Sequence, residues 1–177
     1  MKNRLILTSV LTAFALAGVA AAQTGSGTLG VTANVTGSIN LTFVTDASGL
    51  AVTGSTTSTA SLPFGSVQMY GGSVPANVTK TVTGTTSFSL ATPFDVRVDL
   101  ANSASATFIL TALLATADAT NVWSIGATNI SASGTASNLT STGAYATAVP
   151  YTLKITVPAT EVAGLITNSI GFMAVGN

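Results

Sequence analysis

Apolar and polar residues alternate along one long stretch near the start of the chain, and this alternation constrains the fold more than any other feature. Between Gly27 and Phe43, the apolar side chains occupy odd positions, and Thr, Ser and Asn occupy even ones. Successive side chains of a strand point to opposite faces, so the pattern predicts one long β-ribbon. Gly37 divides it into Leu29–Val35 and Ile39–Phe43, and a glycine within a strand often marks a bend or a crossover.

The same period of two continues through the rest of the chain, most clearly from Phe94 to Leu100. No segment has a convincing helical pattern. About seven to nine short strands with polar turns and no helices predict an all-β sandwich or barrel. The other predicted strands are Val78–Val82, Thr86–Leu90, Phe108–Leu114, Val122–Ile125, Thr128–Ser131, Tyr151–Val157 and Ile166–Val175. The predicted core consists of Val31, Val35, Leu41, Phe64, Phe94, Val96, Val98, Phe108, Leu110, Leu153, Ile155, Ile170 and Phe172.

The first residues have the three parts of a secretory signal peptide. Lys2 and Arg4 precede the apolar run Leu5–Val19, and the small residues Ala20–Ala22 follow it. The pattern predicts a signal peptide over residues 1–22, with cleavage before Gln23. A single β-sandwich domain of residues 23–177 would then be secreted by bacterial-type export to the extracellular space or cell surface, with no membrane span after cleavage.

The composition argues against catalysis and against charged partners. The chain has no Cys and no His, so it lacks a thiolate nucleophile, a histidine base and the usual transition-metal ligands. No Gly-x-Ser-x-Gly motif is present. After residue 22, three cations stand against five anions, a net charge of −2, which gives no basic patch for nucleic acid. We therefore expect no catalytic residue, no cofactor site and no metal site, and a weakly charged surface suited to packing against copies of itself.

Three side chains or groups remain as weak candidates for chemistry. Asp95 and Asp99 flank Arg97 on one predicted strand face, which favours simple ion pairing with Arg97 over a catalytic carboxylate pair. Asp46 lies in a turn that lacks the further oxygen ligands calcium requires. Trp123 is a candidate for stacking on a sugar, but the neighbouring apolar residues favour packing in the core.

Four segments together resemble a known group of proteins. They are Val31–Thr36, Leu62–Val67, Leu153–Pro158 and Asn168–Ala174. The pattern is similar to pilin-like β-sandwich proteins of bacterial surfaces, both spore-coat-U-type and chaperone–usher-type fimbrial subunits. The resemblance implies an exported, immunoglobulin-like or pilin-like β-sandwich that polymerises by lending an N-terminal strand to a neighbour. The chain departs from the pattern in having no disulfide, and in having Ile166–Val175 as a candidate for the last strand that chaperone–usher subunits lack.

Three hypotheses for function follow. The first is a structural subunit of an extracellular filament, fimbria or surface matrix, in which residues 23–36 include an exchanged strand. The predicted assembly residues are Leu29, Val31, Ala33 and Val35. The alternative to strand exchange is that both halves of the ribbon stay in one domain and the chain crosses between sheets at Gly37. The second hypothesis is a monomeric secreted binding module for a glycan or surface polymer. The third, a small outer-membrane barrel, conflicts with the sparse aromatic residues and the short strands.

Overall fold

The computed structural model describes residues 28–132 and 134–177 of the chain. It divides into two compact units, Met1–Asn34 and Val35–Asn177. In the first unit, the described residues 28–34 have no regular secondary structure and are exposed. The predicted signal peptide of residues 1–22, together with residues 23–27, lies outside the described residues.

The second unit consists of β-strands joined by turns and longer connections. The described residues form nine strands and no helix, so none of them belongs to a helix that could cross a membrane. The strands are β1 (Ser38–Val44), β2 (Thr79–Thr83), β3 (Ser87–Ala101), β4 (Phe108–Leu114), β5 (Val122–Ile125), β6 (Thr128–Ile130), β7 (Ser137–Gly143), β8 (Ala148–Pro158) and β9 (Ile170–Gly176).

The strands form two antiparallel sheets with the core between them. In the large sheet the order is β1-β3-β8-β5-β6, and β2 also pairs with β3. In the small sheet the order is β7-β4-β9. The predicted all-β sandwich is therefore confirmed.

The long strand β3 organises the large sheet. One edge of β3 pairs with β8, and the other edge pairs first with β2 and then with β1. The prediction of two separate strands on either side of Pro93 was wrong. The pairing with β2 ends at Ala91 and the pairing with β1 begins at Asp95, so Pro93 lies where no strand occupies that edge. There the Pro93 carbonyl faces Gly49 so closely that a Cβ atom on Gly49 would collide with it.

The core lies between the inner faces of the two sheets. Most of the predicted core residues are buried in it: Phe94, Val96, Val98, Phe108, Leu110, Leu153 and Ile155. Leu41, Phe64, Ile170 and Phe172 are partly buried and pack against it. The prediction was wrong for Val31 and Val35, which are exposed. They precede β1, which begins only at Ser38, so the expected continuous ribbon from Gly27 to Phe43 does not form within the chain.

Candidate functional site

An apolar cleft of about 1090 Å³ opens into the core between the two sheets. Its floor is the inner face of the large sheet. Ile170 and Phe172 of β9 and the connecting segments 58–67 and 164–169 line its sides. The floor consists of Phe88, Leu90, Phe94, Trp123, Leu153, Ile155 and Val157.

The cleft exists because the small sheet covers only part of the large one. Phe172 of β9 packs edge-on against Phe94, with 6.0 Å between the ring centroids, and against Phe43, at 5.1 Å. Phe88 and Leu90 lie nearer the start of β3, where the facing chain forms connecting segments rather than strands. Part of the second layer of the sandwich is therefore missing above them.

One side of the cleft is a strand with an unpaired edge. β9 pairs with β4, and no described strand pairs with its other edge. An unpaired edge presents backbone N–H and C=O groups to which a further strand can add. Because Ile170 and Phe172 line the cleft, a strand added along this edge of β9 would lie beside an apolar surface.

The predicted assembly residues are unpaired and exposed. The exposed fractions are 89% for Leu29, 80% for Val31 and 68% for Val35, and Ala33 is exposed as well. None of these residues belongs to a strand. The first strand starts immediately after Gly37, the residue that the sequence predicts as the division of the ribbon. The second half of the ribbon, Ile39–Phe43, lies within β1.

The charged residues of β3 form a single ion pair. Arg97 Nη2 lies 2.9 Å from Asp99 Oδ1, at an exposed position. Asp95 takes no part in this pair. Its burial raises the pKa of Asp95, and the negative charge of Asp46 raises it further. The predicted pairing with Arg97 is thus confirmed for Asp99 and wrong for Asp95.

Trp123 is held by the loop that precedes it. The indole is 5% exposed, and its Nε1 donates a hydrogen bond of 2.8 Å to Asp118 Oδ2. Partial burial acts to raise the pKa of Asp118, but hydrogen bonds from the Asn121 backbone and Trp123 outweigh it and lower that pKa to about 2. The packing interpretation of Trp123 is therefore confirmed. The fixed ring forms part of the cleft floor.

A second depression of about 390 Å³ lies on the outer face of the large sheet. Asn40, Thr42, Arg97 and Asp99 line it. The Arg97 guanidinium is already paired with Asp99, and no nucleophile and base are brought together there. Across residues 28–132 and 134–177, no three His, Cys, Asp or Glu side chains are grouped closely enough to share a metal ion.

Comparison of the chain with protein-family models, with curated proteins and with solved structures finds no match. The geometry defines an all-β sandwich with an open apolar cleft, a free strand edge and an exposed apolar segment near its start. Sequence reasoning identified the segment but missed the cleft. Its one sequence signal is the Leu62–Val67 stretch, where Pro63 among apolar residues is compatible only with the start of a strand or an edge strand.

Proposed function

We propose that this chain is an exported structural subunit whose copies assemble into an extracellular filament, fimbria or surface matrix. Residues Leu29–Val35 of one copy add as a strand to the free edge of β9 in a second copy. The subunit is not an enzyme and needs no cofactor. Its partners are copies of itself.

The match between the segment and the cleft carries this proposal. In an extended segment, Leu29, Val31, Ala33 and Val35 lie on one face, and this face is as apolar as the cleft. Seven extended residues span about 24 Å, and β9 also has seven residues. Burying a Leu or Val side chain stabilises a complex by about 1.5–3 kcal/mol, and Leu29, Val31 and Val35 are all exposed in the single chain.

The position of β1 favours a second copy as the acceptor. Ser38, the first residue of β1, pairs with Ala101 at the far end of β3. The floor of the cleft includes Phe88, Leu90 and Phe94 in the other half of β3. Addition of an extended strand to another sheet is a known mode of recognition, in which the backbone provides affinity and alternate side chains provide specificity.

One observation favours the alternative of a monomeric secreted module that binds a glycan or surface polymer. The depression around Asn40, Thr42 and Arg97 is open, and these three side chains carry the hydrogen-bonding groups that a hydroxylated ligand needs. This alternative predicts a monomer that binds polymer at the outer face of the large sheet, with no role for the cleft.

Trp123, the only tryptophan of the chain, provides a direct test because it lies on the cleft floor. A peptide of residues 28–36 is added to a variant that lacks residues 23–35, and tryptophan emission is recorded. We expect a saturable change in emission. A peptide with Val31→Asp should cause none, since the charge would enter the cleft, whereas Thr32→Asp on the opposite face should leave binding intact.

The control is circular dichroism of the truncated variant. If this variant is folded and the unmodified peptide leaves Trp123 emission unchanged, strand addition into the cleft is wrong. If the variant cannot fold, the two halves of the ribbon belong to one domain, as in the alternative with a crossover at Gly37.

A further inference from the structure

The outer face of the small sheet is apolar although it is directed away from the core. On β4, Phe108, Leu110, Ala112 and Leu114 are buried, so the residues between them face outward. On β9 the outward residues are exposed, and the register pairs Ile109 with Val175, Thr111 with Met173 and Leu113 with Gly171. We call these six residues the outer face of the small sheet: Ile109, Thr111, Leu113, Gly171, Met173 and Val175.

This face differs in charge from the outer face of the large sheet. The strands β4, β7 and β9, every residue of which the structure describes, contain no Asp, Glu, Lys or Arg. The outward residues of β3 and β8 include Asp95, Arg97, Asp99 and Lys154. Met173 is 58% exposed and Val175 is 48% exposed. Val82 and Val122 are exposed on the large sheet too, but that sheet also carries the charged residues.

We propose that two copies of this chain pair through the outer faces of their small sheets, related by a twofold axis. The charged residues of the large sheet favour the small sheet of a second copy as the partner of this face. If the face packed against the large sheet of another copy, Arg97, Asp99 and Lys154 would lose water without gaining partners, which is costly. Two small sheets bring only uncharged surfaces together, and a twofold axis makes one patch complementary to itself.

A lipid surface fits the face less well than a second copy does. Segments that lie at a membrane surface combine exposed Trp or Phe with Lys or Arg. The three strands have neither Lys nor Arg, and their aromatic residues, Phe108 and Phe172, pack on the core side.

The size of the face sets the expected strength of pairing. The two seven-residue strands β4 and β9 carry this face, which is about 24 Å long and about 10 Å wide. The area of this face is well below the roughly 800 Å² per partner of a standard stable interface. The contact should therefore be weak between isolated copies, and it should contribute mainly where many copies are already held together.

A disulfide can trap a weak contact covalently. Because the chain has no Cys, a single introduced Cys can form a disulfide only with the same Cys of another copy. Met173→Cys lies at the middle of β9, on the proposed contact. Thr152→Cys on β8 is the matched control, on the outer face of the large sheet. Both are made in the exported chain with Val31→Asp, so that strand addition does not contribute. Under mild oxidation we expect the disulfide-linked dimer to form at least tenfold faster for Met173→Cys.

A second pair of substitutions tests the face itself. Val175→Lys should abolish trapping through Met173→Cys, whereas Val122→Lys should leave it unchanged, since Val122 is equally exposed, at 48%, on the large sheet. If Val175→Lys does not fold by circular dichroism, Ile109→Lys takes its place.

Equal trapping rates for Met173→Cys and Thr152→Cys would overturn the proposal. Flotation of the chain with phosphatidylethanolamine–phosphatidylglycerol vesicles, lost in Val175→Lys and without dimer trapping, would also overturn it, because the face would then bind lipid. The Val31→Asp background keeps this result separate from the outcome for strand addition.

Discussion

At the scale of single residues, two aspartates show how local geometry sets opposite charge behaviour. Asp95 is partly buried beside Asp46, whose own charge is stabilised by hydrogen bonds from the Ser48 hydroxyl and backbone N–H. Asp118 instead accepts hydrogen bonds from Thr120, Asn121 and Trp123. The pKa of Asp95 is therefore raised above its ordinary value of 3.8, and the pKa of Asp118 is lowered from it to about 2.

These shifts predict opposite effects on stability. A raised pKa means that the folded chain holds the proton of Asp95 more tightly, so its contribution to the free energy of unfolding falls as pH rises above about 3.8. Asp118 makes its full contribution to the free energy of unfolding above pH 3.8 and loses that contribution as the pH falls toward 2. We expect Asp95→Asn to stabilise the chain, and Asp118→Asn to destabilise it, with both effects larger at pH 7 than at pH 3.

Urea unfolding followed by circular dichroism at the two pH values measures both effects. An Asp95→Asn variant that is less stable than the parent at pH 7 would show that Asp95 is stabilised by its surroundings. The same shift at both pH values would show that its charge plays no part.

At the scale of elements, β3 spans both the closed and the open part of the sandwich. Phe94 and Phe88 lie on the same inward face and both line the cleft, but Phe94 is buried among Phe43, Tyr151 and Phe172, whereas Phe88 is only half-buried. Truncating a fully packed Phe typically costs about 3–5 kcal/mol. We expect Phe94→Ala to lower the free energy of unfolding by about that amount, and Phe88→Ala to cost clearly less, since the Phe88 side chain is already partly exposed to water.

Denaturant unfolding of the two variants under identical conditions checks this difference. Equal losses for Phe88→Ala and Phe94→Ala would mean that the cleft is closed in solution by other parts of the same chain.

The sequence predicted the inward faces of the strands better than their boundaries. Alternation identifies which side chains are buried, so Phe94, Val98 and Leu110 were correctly assigned. It carries no information on pairing partners, and so it did not show that the chain before Ser38 remains unpaired. β7 was missed because Ser137–Gly143 has almost no apolar residues and pairs irregularly with β4.

At the scale of the whole molecule, the candidate site combines parts that are far apart in the sequence. The cleft joins β3, β5, β8 and β9 to the segments 58–67 and 164–169, which lie outside the nine strands. Its existence depends on how far the small sheet extends over the large one, and this is a property of sheet packing. The exposed assembly residues of Leu29–Val35, in contrast, were predictable as an apolar face because their alternation is a local property of the sequence.

The distribution of the charged residues between the two sheets is also a property of the whole molecule. Within residues 28–132 and 134–177, the charged side chains lie on the large sheet and on connecting segments, and none lies on the small sheet. A single isolated chain therefore exposes an apolar cleft and an apolar sheet face. Both are expected of a subunit that is stable in contact with other copies.

Electron microscopy of the purified chain beginning at Gln23 tests the central claim, assembly through Leu29–Val35, most directly. It is compared with the same chain carrying Val31→Asp and, as a matched control, Thr32→Asp. We predict filaments or extended assemblies for the unmodified chain and for Thr32→Asp, and only dispersed single particles for Val31→Asp. Filaments of unchanged appearance and number in Val31→Asp, or dispersed particles in all three samples, would contradict the account.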